Sequence, residues 1–151
     1  APHRWPDAYL WKTLADHGAP LAFASDWPVA DVNPMRSIQA ALTRVPYAGA
    51  ADERVGLMAT LQAYTAGGAR AAHLDGLTGT LRAGLAADLV LIDGDIEAIP
   101  ADRIGQTGIA GWTGRKRWQR PSQEFWRQDG SYARSSGVLH VLCPRSLRRL
   151  M

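Results

Sequence analysis

A chain of 151 residues with 46% apolar and 21% charged residues can bury the core of one ordinary domain, and its overall composition is that of a globular rather than a disordered protein. No apolar run approaches the ~20 residues of a membrane span, and the single cysteine, Cys143, excludes an internal disulfide framework or a thiolate metal cluster. The net charge of +3 conceals an asymmetry: residues 1–111 hold eight basic and twelve acidic residues, a balance of −4, whereas residues 112–151 hold nine and two, a balance of +7.

Residues Ala1 to Trp5 have no apolar core of a signal peptide, and the first residue is not Met. With the lone thiol, this gives the expectation of a cytoplasmic, reducing setting. Asp7 opens a predicted helix over 7–17, with Leu10, Trp11 and Leu14 at helical spacing; Gly18 and Pro20 stop it. Leu21-Ala22-Phe23-Ala24 reads as a short buried strand. A carboxylate, Asp26, stands at its end, and Pro28 blocks further pairing. In a parallel α/β fold the carboxyl ends of strands are where sites are built. An Asp there can bind a metal, take a proton or anchor an amine; it can equally cap the next turn through its own backbone.

Asn33 and Pro34 suit the cap and first position of a second helix, with Met35, Ile38, Ala41, Leu42 and Val45 as its apolar stripe. Asp52 and Glu53 place negative charge where a third helix would start, and Val55, Leu57, Met58, Leu61 and Tyr64 form its stripe. Thr65 is predicted to cap a further short helix through Ala72, and Gly76 closes the helical region. The period then changes. Gly79–Leu81 and the β-rich run Asp88–Asp93 suggest two short strands of a small separate sheet. From Trp112 onward no period is clear, and residues 112–151 read as a basic tail of loop or disorder, with Val138–Leu142 as a possible strand.

Taken together, Ser25-Asp26-Trp27-Pro28-Val29, Asn33-Pro34-Met35 and Thr43-Arg44 resemble the last barrel segment of the amidohydrolase superfamily. The nearest branch is the amidohydrolase family 3 type, which includes N-substituted formamide deformylase-like and D-aminoacylase-like enzymes. Ala63-Tyr64-Thr65-Ala66-Gly67-Gly68-Ala69 is similar to the helix pair that follows, and Gly79 through Asp93 to the return into a small β-domain. The similarity extends over residues 1–109. It implies an α/β fold: the C-terminal end of a metal-dependent hydrolase (β/α)₈ barrel over residues 1–75, then part of a small β-sandwich domain over 76–111.

The resemblance implies hydrolysis of a carbon–nitrogen, non-peptide amide bond in a small-molecule substrate, with a divalent metal, zinc in most relatives, as cofactor. Asp26 matches the eighth-strand carboxylate that binds metal and moves the proton from its activated water. Trp27 either forms a pocket wall or packs under the loop. Arg44 either grips a substrate carboxylate or serves as a solvated helix residue. The family's His-x-His, its bridging carboxylate or modified Lys and its later His ligands have no match here. His3, His17, His73 and His140 lie too far apart to replace them, and His17 and His73 suit helix ends. The chain is therefore expected to be an incomplete, inactive fragment, and a frameshift near Trp112 would account for its tail. The alternative is a non-catalytic interaction module whose basic tail, with Arg115, Lys116, Arg117, Arg120, Trp118 and Trp126, binds an anionic partner. No nucleic-acid module surrounds those residues, so nucleic acid is not the expected partner, nor is a membrane.

Overall fold

The computed structural model of the chain describes residues 2–114 and 117–119, with side-chain surroundings over residues 4–113. A 3₁₀ turn, Pro2–Asp7, precedes helix α1, Trp11–Asp16. The predicted helix over 7–17 is thus shortened, because Tyr9 takes a left-handed conformation (φ +63°) that separates the two turns.

Helix α2, Pro34–Thr43, begins where local chemistry dictates. The Asn33 side chain accepts the Met35 N–H at 3.0 Å, satisfying a donor that has no intrahelical partner. Met35, Ile38 and Ala41 recur at helical spacing and are buried to 1–2% exposure.

Helix α3, Leu57–Gln62, starts at Gly56 rather than at the acidic pair. Both acids have other partners. Asp52 holds the Arg54 guanidinium, and Glu53 reaches back to α1, accepting the Thr13 N–H at 2.8 Å and its hydroxyl at 2.6 Å. A π turn, Ala63–Gly67, carries α3 directly into α4, Gly68–Ala71. Thr65 therefore lies inside a continuous rod, and its hydroxyl donates to the Leu61 carbonyl at 2.8 Å instead of capping a helix start. His73 ends the rod with φ +57°.

Two predicted strands are not strands. Leu21–Ala24 is extended but has no ladder, since no strand lies beside it among the described residues; it docks on the rod through Phe23 N–H to Ala63 O at 3.2 Å. Gly79–Leu81 is a bend and loop, with Gly79 at φ +88°. The run Asp88–Asp93 does form β1, Val90–Ile92. It pairs antiparallel with β2, Ile109–Gly114, which pairs antiparallel with β3, Arg117–Gln119. Residues 112–114 and 117–119, read from the sequence as irregular tail, are strand because Trp112 pairs with both Val90 and Gln119. The possible strand Val138–Leu142 lies outside the described residues.

One core joins the helices to the sheet. Met35, Ile38, Leu61, Ile92, Ile96 and Ile104 cluster, with Leu57, Tyr64, Val90 and Ile109 packed around them. Ile92 is completely buried, which stabilises the fold by about 1.5–3 kcal/mol for one such side chain. A 3₁₀ turn, Ala101–Gln106, lies along α2, fastened where the Gly105 N–H donates to Gln39 Oε1 at 2.7 Å.

Candidate functional site

The segment that carries Asp26 is built in three steps. Gly18, at φ +83°, turns the chain out of α1. Leu21–Ala24 then runs extended across the π turn, with the Phe23 ring between Trp11 (centroids 5.1 Å apart) and Tyr64 (5.7 Å). At the exposed tip Asp26 adopts φ +50°, a conformation Asp tolerates better than most residues, and its carbonyl accepts the Val29 N–H at 2.8 Å to close a tight turn.

The backbone, not the carboxylate, makes that turn. Among the described residues nothing hydrogen-bonds to or pairs with the Asp26 carboxylate. Asp31, five residues later, behaves differently: it accepts the Asn33 N–H at 2.9 Å and pairs with Arg36 at 3.3 Å, so it is committed to the start of α2. Trp27 and Val29 flank the tip at 68% and 82% exposure, and no ring or cation contact to Trp27 occurs among the described residues. Arg44 is placed elsewhere. Its guanidinium lies over the Tyr9 ring at 4.2 Å and over the Trp11 ring at 4.1 Å, a double cation–π clasp that ties the end of α2 to α1. The structure thus leaves Asp26 and Trp27 together at the tip and uses Arg44 in the layer beneath.

The histidines serve helix ends. His17 follows α1 with Nδ1 2.8 Å from the Thr13 carbonyl, and His73 follows α4. Among the described residues no group of three or more His, Cys, Asp or Glu could hold a metal. His140, Cys143 and most of the basic tail lie outside the described residues. No described helix is long and apolar enough to cross a membrane. A cavity of about 320 Å³ is lined by Tyr64, Thr65, Thr78, Leu81 and Asp88 among others; neither Asp26 nor Arg44 lines it.

Ionisation marks the same division of labour. Hydrogen bonds from Arg54 lower the Asp52 carboxyl to about 2, and those from the Thr13 hydroxyl and amide hold Glu53 below its usual range. These acids are structural.

Sequence reasoning missed the aromatic row Tyr9, Trp11, Phe23 and Tyr64, and it passed over Gly67. A signal for the latter was present: two glycines inside a helix cost stability unless a backbone approaches closely. A Cβ on Gly67 would fall within 3.0 Å of the Leu21 carbonyl oxygen.

A family model described as amidohydrolase family matches residues 1–131, beyond the Ile109 to which the resemblance was traced. Protein LONG AFTER FAR-RED 3 of Arabidopsis thaliana is 42% identical over 90 residues, which cover 57% of this chain and 15% of the relative. The chain thus spans a small part of that relative's length. No solved structure matches the chain significantly.

Proposed function

This chain belongs to the amidohydrolase family, and on that premise we propose that it carries the closing barrel segment of a metal-dependent hydrolase of carbon–nitrogen bonds in small-molecule amides, with Asp26 as its catalytic carboxylate. The family implies a (β/α)₈ barrel and a hydrolase-like protein, and its members use divalent metals. The observation that carries the reading is the contrast within one loop. Asp31 is consumed by the start of α2, whereas the Asp26 carboxylate stands at the exposed tip without a partner among the described residues. A carboxylate so placed keeps its lone pairs for a metal and for a proton. When bound, the metal, zinc by kinship, would activate water toward the amide carbon. An active zinc site needs about three protein ligands, so the others must come from outside the described residues. Trp27, exposed beside Asp26, supplies an apolar face for substrate; Arg44, stacked on Tyr9 and Trp11, supports the segment from below.

The coding DNA before Ala1 provides the test. An in-frame His-x-His about a barrel plus insertions upstream, ~350–400 residues, is expected. A product that includes it should hydrolyse N-formyl or N-acyl amides, and Asp26→Asn in that product should abolish turnover. Unchanged turnover in Asp26→Asn would refute the role given to Asp26.

A further inference from the structure

We infer that Gly67 and the π turn around it position the site carboxylate: they form the seat on which the Asp26 segment is fixed. The inference rests on the reading of Asp26 as that carboxylate. Three independent contacts converge on one turn of the rod. The Phe23 N–H donates to the Ala63 carbonyl at 3.2 Å, the Phe23 and Tyr64 rings meet edge to face, and the Leu21 carbonyl presses against Gly67. In an α-helix the Ala63 carbonyl would be directed along the axis into the next turn. The π turn widens the helix by one residue per hydrogen bond, which tips carbonyls outward, and such turns recur at functional sites. An extended segment with no strand beside it among the described residues thereby gains a backbone partner at Phe23, three residues before Asp26.

Gly67 makes the close approach possible. Any side chain there would place Cβ within 3.0 Å of the Leu21 oxygen and 3.2 Å from its carbonyl carbon, and backbone must move to relieve it. Gly68, the next residue, is the natural control: a Cβ there meets only the Ala63 oxygen at 3.8 Å, an ordinary contact. Both substitutions to Ala gain the same intrinsic helix propensity, so their difference reports the close contacts at Gly67, with Leu21 foremost and the Gln62 carbonyl oxygen at 3.3 Å second.

The test compares the wild-type whole chain with Gly67→Ala and Gly68→Ala by NMR. The wild-type Phe23 amide should exchange more slowly than those of Ala22 and Ala24. Gly67→Ala should speed Phe23 exchange roughly tenfold, the loss of one backbone hydrogen bond. It should also shift the Asp26 carboxyl ¹³C resonance and the Trp27 indole resonance, while Gly68→Ala leaves both in place. A merely structural role for Gly67 would lower stability without moving the Asp26 carboxyl resonance. Two outcomes overturn the proposal: Asp26 resonances unmoved in Gly67→Ala, or moved equally in Gly68→Ala. Should Gly67→Ala fail to fold, the wild-type measurement decides, since an unprotected Phe23 amide contradicts the seat and a protected one with opening shared by Ala63–Gly68 supports it. These readouts are positions and exchange rates, so a failure of the hydrolase reading would leave them standing.

Discussion

The two faces of the α3–α4 rod solve the burial problem differently. On one side, α2, the sheet and the 3₁₀ turn Ala101–Gln106 close a core in which Met35, Ile92, Ile96 and Ile104 are at most 1% exposed. On the other, α1 and the Asp26 segment leave Trp5, Leu14, Trp27 and Val29 at 50% exposure or more. The first face is held by apolar contact, which acts without regard to sequence distance. The second is held by a few directed contacts: the Arg44 clasp, the Glu53 cap on α1 and the seat at Gly67. The carboxylate proposed for chemistry lies on the second face.

The sharpest way to separate the faces is to cut into each. Ile104→Ala, in the closed core, should destabilise by about 2–5 kcal/mol in denaturant unfolding, the usual result of emptying a packed Ile site. Arg44→Ala should cost less, about 0.5–2 kcal/mol, because it removes two cation–π contacts and no core volume. It should also shift the emission of Trp11, and Arg44→Lys should recover part of both effects. If Arg44→Ala proved as damaging as Ile104→Ala, the directed contacts would be as important as the core and the contrast would collapse.

The smallest expected effect concerns Glu53 and pH. Its carboxyl is held below its usual range by Thr13, so the stabilisation it gives is fully present above the unfolded carboxyl value of 4.5 and is lost as pH falls below it, through the lowered folded value. Thermal melts of Glu53→Gln against wild type should therefore differ above pH 5 and converge in acid. A gap that persists at pH 2 would mean that the carboxylate charge is not what caps α1.

What the sequence revealed follows the same divide. Helix α2 was legible from Asn33, Pro34 and the Met35–Ile38–Ala41 spacing, because capping and amphipathic periodicity are local. The strand β1 was legible from a β-branched run between turn residues. The Leu21–Ala24 run was not, since apolar character predicts burial but pairing depends on which neighbour arrives, and the neighbour here is a helix. Glu53 misled because a carboxylate near a helix start is ambiguous until the fold shows whose start it serves: α1, forty residues back. In the candidate site, the motif singled out Asp26 as the residue to consider, but its exposed, unpartnered state was not readable from it. Arg44 showed the reverse, a chemistry suited to substrate that the fold spends on two aromatic rings.

Zinc titrated into the purified whole chain, followed by calorimetry with Asp26→Asn alongside, tests most directly whether Asp26 is a lone contribution to a site completed from elsewhere. No tight stoichiometric uptake is expected, and the two proteins should behave alike. One zinc bound tightly per chain and lost in Asp26→Asn would contradict it, because the chain would then supply a complete site by itself.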